Sequence, residues 1–295
     1  MHDHRRNLNT LAAVLAVALA VAGCSGQPTR QHPPPGQPTD PHKPPAETVL
    51  GFTDLMDPGE VAVDAHGNVY VLDLGLTRVV QLPADQPRQQ TVPFTGLASP
   101  EGVAVDAAGR VYVSDTGNHR VLTLAAGSTT QQELPFTDLQ YPNALAVDTA
   151  GDLYLADIGT NRVLKLPAGS NTQQLLPFSG VSGGYGVAVD RVGDVYVSDF
   201  DRHRVLTLPT GSNAQQELPF HDLKGPIGVA VDAAGSVYVI DSGTVLKLPK
   251  GATSPQVLPF SDLQNPRDVA IDAAGNVYVT DDGSNRKRVW KLAAG

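Results

Sequence analysis

The chain has 295 residues, 41% apolar and 17% charged, with 29 glycines, 24 prolines and a single cysteine. That length supplies one large or two ordinary domains, while a lone cysteine excludes an internal disulfide framework and a paired-cysteine zinc site. A net charge of −9 argues against sequence-independent binding to nucleic acid or to an anionic membrane surface, and abundant Gly and Pro with only 5% aromatics favour short strands and turns over helices.

Residues 1–23 open with Arg5 and Arg6 and continue in an unbroken Leu/Ala/Val run, Leu11 to Val21. The run is too short to span a bilayer, which takes about 20 residues, but it suits an export signal. It ends in Val21-Ala22-Gly23-Cys24, which resembles a bacterial lipobox. The resemblance implies cleavage before Cys24, diacylglycerol on its sulfur and acylation of the new amino terminus. Several acyl chains would hold the protein on the outer side of the cell membrane, where one would not. From Cys24 to Ala46 the chain is rich in proline and lacks hydrophobic periodicity. Such a segment stays extended, reaching up to roughly 70 Å at about 3.1 Å per residue, and reads as a tether.

From residue 47 onward one unit recurs. The tetrapeptide VAVD or a close variant ends at Asp64, Asp106, Asp148, Asp190, Asp232 and Asp272, spaced by 42, 42, 42, 42 and 40 residues. A glycine follows three residues after each, then an apolar-Tyr-apolar triplet centred on Tyr70, Tyr112, Tyr154, Tyr196, Tyr238 and Tyr278. A second Asp (73, 115, 157, 199, 241, 281), a run such as RVLTL and a segment such as QQELPF complete the unit. Period-two alternation broken by Gly or Pro predicts four short strands, here a to d, with VAVD as a, VYV as b, RVLxL as c and d ending in PF. Four strands every 40 or so residues predict an all-β chain, a six-bladed β-propeller of four-stranded antiparallel blades over residues 47–295. Small residues keep strand a thin near the axis, and the repeated Tyr, Phe and Leu positions form the core. The sixth set ends after strand c, and residues 48–52 supply a d strand with no a, b or c before it. The N-terminal strand therefore closes the ring and removes two exposed sheet edges.

Asn118-His119-Arg120 within VYVSDTGNHRVL matches the NHL-repeat motif, and all six units resemble NHL repeats. The longer pattern LPFxDLxxPxxVAVDxxGxVYVxDxGxNRVLKLPAGS is similar to the extracellular sensor propeller of the mycobacterial receptor serine/threonine kinase D family. The resemblance covers residues 47–295 and implies a propeller displayed outside the cell. The chain departs from that family in carrying neither a kinase domain nor a transmembrane helix, so direct signalling by phosphorylation is not expected of it.

Positions shared by all blades serve the blade. The Asp that precedes Arg by five residues (Asp73/Arg78, Asp115/Arg120, Asp157/Arg162, Asp199/Arg204) is expected to brace the b–c loop as a surface pair worth about 0–1 kcal/mol. Recognition is expected where copies differ, on the face shared by the d–a and b–c loops. Tyr141, Tyr185 and Phe200 are the aromatics outside repeat positions, and Phe200 opens the unusual loop Phe200-Asp201-Arg202-His203. The residues just after the loop proline, which blade four replaces with Gly183-Gly184, are Gly59, Glu101, Asn143, Tyr185, Ile227 and Arg267, and they are expected to ring the channel mouth, with Glu60 and Asp268 alongside. Such a mixed ring suits a protein, peptide or glycan ligand rather than a polyanion. No catalytic residue, metal or cofactor is expected: His119 and His203 lie two blades apart, His221 is peripheral and His66 is on the opposite face. The reading is a monomeric, lipid-anchored binding module. The enzymatic alternative is a lyase or hydrolase resembling the streptogramin lyases, which metal-dependent activity lost in His203→Ala would mark.

Overall fold

The computed structural model describes residues 45–283 and 286–295; the export segment, Cys24 and the tether to residue 44 lie outside them. Among the described residues, six four-stranded antiparallel sheets each follow the order a–b–c–d. Blade one comprises Pro58–Val63, Val69–Asp73, Arg78–Leu82 and Gln90–Val92; blade two Gly102–Val105, Val111–Asp115, Arg120–Leu124 and Gln132–Glu133. Blade three comprises Pro142–Val147, Leu153–Asp157, Arg162–Leu166 and Gln174–Leu175; blade four Gly184–Val189, Val195–Asp199, Arg204–Leu208 and Gln216–Glu217. Blade five comprises Pro226–Val231, Val237–Asp241, Thr244–Leu248 and Gln256–Val257. Blade six joins Pro266–Ile271, Val277–Gly283 and Arg286–Leu292 to the N-terminal strand Glu47–Val49. Each a strand packs against the a strands of both neighbouring blades, and the ring closes between blades six and one.

Each a–b turn is organised by its VAVD aspartate. Asp106 Oδ1 accepts the Ala108 and Arg110 N–H groups at 2.9 Å, and Oδ2 accepts the Tyr112 hydroxyl at 3.1 Å. Gly109 closes this turn at φ 77°, a conformation that favours glycine. The repeated tyrosine is thereby buried with its polar tip satisfied, and burying its ring contributes roughly 1.5–3 kcal/mol.

The core is divided into six clusters, each shared by two adjacent blades. Tyr112 and Val121 of blade two, for example, pack with Leu145, Leu153, Leu155 and Leu164 of blade three. Blades are thus held together mainly by apolar burial between sheet faces. Near the axis the spacing is tighter. A Cβ on Gly102 would collide with the Asn143 carbonyl oxygen of the next blade, so only glycine fits there.

The d strands are shorter than their sequence suggests. Proline cannot donate to the ladder, so pairing ends at the Leu before it, Leu134 N–H donating to Val121 O at 2.9 Å; Phe136 N–H then turns back to Leu134 O at 2.8 Å and its ring packs on the core. The closing strand ends its ladder at the same place although Gly51 replaces the proline, with Leu50 N–H donating to Val289 O at 2.8 Å. Glu47, Thr48 and Val49 pair with Leu292, Lys291 and Trp290, whereas Leu50 and Phe52 pack between blades six and one. The ladder therefore begins one residue earlier than residue 48 and ends before residue 52.

Glutamine explains the rest of the d segment. Gln131 Oε1 accepts Thr95 N–H at 2.9 Å while its Nε2 donates to Thr95 O at 3.0 Å, clamping blade two's d strand to the loop leaving blade one. Gln89, Gln173 and Gln215 do the same at Thr53, Thr137 and Ser179. At the closure the clamp is Glu47, which accepts the Ser261 N–H and hydroxyl.

Candidate functional site

The start of each a strand determines what reaches the channel mouth. In five blades the a–b register shifts here, between Pro58 and Val61, Pro142 and Leu145, Gly184 and Gly186, Pro226 and Val229, and Pro266 and Asp268. Bulges of this kind release residues from the ladder and re-aim their side chains. Gly59, Asn143, Tyr185, Ile227 and Arg267 occupy these bulges, and Glu101 lies just ahead of its strand. All six line one cavity of about 270 Å³, together with Glu60, Asp268, Gly228, Tyr141, Leu74 and Ile158. Below it runs an axial channel walled by strand-a Val, Ala and Leu residues, and Glu60 and Asp268 line both spaces.

The mouth is polarised. Blades six, one and two contribute all three carboxyl groups, Asp268, Glu60 and Glu101, with Arg267 and Leu74; blades three to five contribute Tyr141, Ile158, Tyr185 and Ile227, with Asn143 the one polar amide. Glu60 Oε2 accepts the Val103 N–H at 2.8 Å, and Asp268 Oδ2 accepts the Val61 N–H at 3.0 Å, each in the next blade. These bonds fix both carboxylates at the rim of the channel. Burial raises the Asp268 carboxyl to about 7, and burial reinforced by the Asp268 charge holds Glu60 well above the carboxylate range. Burial also raises Glu101, against the Tyr141 hydroxyl, which donates to Glu101 Oε1 at 3.1 Å. Arg267 at the rim is engaged by Asp282 at 3.1 Å and Asp57 at 3.6 Å.

The three non-repeat aromatics divide. Tyr141 and Tyr185 line the cavity and are 43% and 41% exposed. Phe200 does not line it; its ring packs edge-on against Tyr185, centroids 5.0 Å apart, and lies over Gly225 of the next blade. Asp201, Arg202 and His203 also lie outside the cavity lining. Asp201 Oδ2 accepts the Ser182 hydroxyl at 2.7 Å, Arg202 lies against Gly180, and His203 ends the short turn Phe200–Arg202 at φ 54°. His119 holds the same left-handed position in blade two, with Nδ1 2.8 Å from Gln140 O. Both histidines thus serve the turn. Among the described residues no three His, Cys, Asp or Glu side chains are grouped so as to hold a metal ion.

The loop aspartates are more consequential than surface pairs. Asp115 is fully buried; Oδ2 takes Arg120 Nε at 2.8 Å, and Oδ1 accepts the Ala98 N–H at 2.7 Å. Asp73, Asp157 and Asp199 repeat this bridge between the b–c and d–a loops. In blade six Arg288 takes the role opposite Asp281, and in blade five Thr244 stands where arginine would. Residue patterning alone missed Leu74 and Ile158 as lining residues. Their signal is the position after the loop aspartate, which reads Leu74, Thr116, Ile158 and Phe200 in the first four blades.

The NHL repeat profile matches residues 97–124 and 263–292. No curated protein matches the sequence. Among solved structures, virginiamycin B lyase from Staphylococcus aureus aligns at 12% identity over 84% of this chain and 85% of that chain, with a TM-score of 0.63. A chain of a nidogen/laminin complex aligns at 19% identity over 68% and 78%, with a TM-score of 0.62. A candidate gluconolactonase aligns at 16% identity over 84% and 92%, with a TM-score of 0.68. At these identities the likeness is one of fold. The chain is a six-bladed β-propeller with NHL repeats, closed by its N-terminal strand.

Proposed function

We propose that this propeller is a ligand-binding module of the bacterial cell envelope, anchored on the outer side of the membrane through lipid on Cys24. Residues 24–46 act as its tether, and the channel mouth is its recognition site for a protein, peptide or glycan. The lipobox-like sequence and the single cysteine support the anchor. The observation that carries the binding reading is the mouth, where the positions at which the six copies differ converge on one cavity with two half-exposed tyrosines. Aromatic rings beside adaptable polar groups suit recognition. The test is capture of partners from cell-envelope extract by the purified propeller, against a Tyr141→Ala/Tyr185→Ala variant. Specific capture that this variant loses supports the reading; equal recovery of every partner sinks it.

A second reading, a lyase or hydrolase, draws on one feature: an acid with a pKa near 7 in a cavity is suited to proton transfer. It requires turnover of a small molecule that Asp268→Asn abolishes.

A further inference from the structure

The mouth is neither neutral nor symmetric, and its charge indicates which ligand it can take. Three carboxylates line it, while the single lining cation, Arg267, is already paired with Asp282 and Asp57. Glu60 spends Oε2 on the Val103 N–H, and Oε1 has no donor among the described residues. Blades three to five add the rings of Tyr141, whose hydroxyl already donates to Glu101, and Tyr185, with the aliphatic side chains of Ile158 and Ile227. Between the two sectors lies Asn143, which lines the cavity at only 7% exposure; its side-chain amide makes no hydrogen bond among the described residues. That amide opens onto the cavity with its hydrogen-bonding capacity unused by the protein, so Asn143 marks where a polar ligand group can be received.

We propose that the mouth receives an organic cation, an ammonium or guanidinium group facing Asp268, Glu60 and Glu101 and hydrogen-bonded by Asn143, carried on an apolar or aromatic body that lies against Tyr141, Tyr185, Ile158 and Ile227. This rests on the reading of the mouth as the recognition site and specifies its ligand. An anion would meet three carboxyl groups and no unpaired cation, whereas a bound cation favours the ionised form of those same groups. A metal ion would need three converging donors, a grouping absent among the described residues, and it would leave the aromatic sector without a role. An organic cation uses both sectors: its N–H groups form charge-assisted hydrogen bonds with the carboxylates, and its body, with the positive charge nearby, packs on the tyrosine faces. The same chemistry arises from a free amine or from a lysine or arginine side chain presented by a protein.

Binding to the intact propeller is measured by ligand-observed NMR with phenethylammonium and its isosteres phenethyl alcohol and phenylacetate. Blocked lysine and arginine tripeptides are tested alongside. Phenethylammonium should bind and both isosteres should bind more weakly; Glu101→Gln should weaken the amine about fivefold, and Arg267→Ala should strengthen it by a similar factor. Tripeptides that outbind the amine would assign the cation to a protein partner, and the reverse order to a free amine; either supports the proposal. Equal or tighter binding of phenylacetate or phenethyl alcohol overturns it, as does an absence of binding by every cationic probe or an Arg267→Ala variant that binds the amine no better. Those failures leave the mouth standing as a site if Tyr141→Ala/Tyr185→Ala still loses captured partners. Unchanged capture in that variant would bring down the site reading itself.

Discussion

Aspartate occupies three environments in this propeller, and each sets a different chemistry. The VAVD aspartates accept turn N–H groups and the tyrosine hydroxyl, as Asp106 does for Tyr112. The loop aspartates are buried between an arginine and the N–H groups of the d–a loop, as Asp115 is. Removing the arginine leaves a buried carboxylate short of a partner, so Arg120→Ala should cost about 1–3 kcal/mol in thermal or denaturant unfolding, more than a surface pair would. Asp268 has neither arginine nor turn, only one inter-blade N–H at 3.0 Å and a cavity. Its carboxyl is raised from the ordinary 3.8 to about 7, so the folded protein holds a proton that the unfolded chain releases. That contribution to stability is complete below about pH 4 and disappears as pH rises through about 7. The parent should therefore lose stability between about pH 4 and pH 7. Asp268→Asn, which can still accept the Val61 N–H, should flatten this decline and gain on the order of 1–3 kcal/mol at the upper pH. A parallel decline in both proteins would show that Asp268 is not the group responsible.

Among the elements, the d strand is the shortest and the most dependent on help. Two or three ladder residues hold it, and a glutamine clamp and an interior phenylalanine add the remainder. Gln131→Ala removes both clamp bonds and should cost about 1–2 kcal/mol. Blade five lacks this clamp: Pro255 stands at the glutamine position, and His221 Nε2 instead lies 3.2 Å from Thr253 O. Deleting residues 47–52 removes a ladder, the Glu47 clamp and the Leu50 and Phe52 side chains between blades six and one at once. The expected result is a sharp fall in melting temperature, and unchanged unfolding would contradict closure by this strand. Register explains why these residues were legible. Glu47-Thr48-Val49-Leu50-Gly51-Phe52 aligns with Gln131-Gln132-Glu133-Leu134-Pro135-Phe136, so the repeat itself names residue 47 as the clamp position.

For the whole molecule, sixfold repetition makes a ring and its departures make one polarised opening. The proposed anchor at Cys24 is tested on the intact chain. Labelled palmitate should enter the chain of residues 1–295 expressed in a bacterial host and be lost in Cys24→Ala, with the protein then released from the membrane fraction. The strand pattern, the blade number and the closing segment could be read from residue types because each repeats at a constant period, and a local pattern repeated six times has few alternative packings. The membership of the mouth was partly legible, since the position after the loop proline, or after Gly184 where blade four lacks it, singles out Glu101, Asn143, Tyr185 and Arg267. Which of the odd residues share a space was not. Phe200, Asp201, Arg202 and His203 stand out in the sequence as much as Tyr185 does, yet the loop's contacts with Ser182, Gly180 and Gly225 keep them out of the cavity lining. Glu60 and Asp268 lie more than two hundred residues apart, and only ring closure makes them neighbours. Periodicity determined the architecture because it is a property of adjacent residues. The charge of the mouth was decided by tertiary structure, because it depends on which blades meet around the axis and on how much water reaches the carboxylates they bring together.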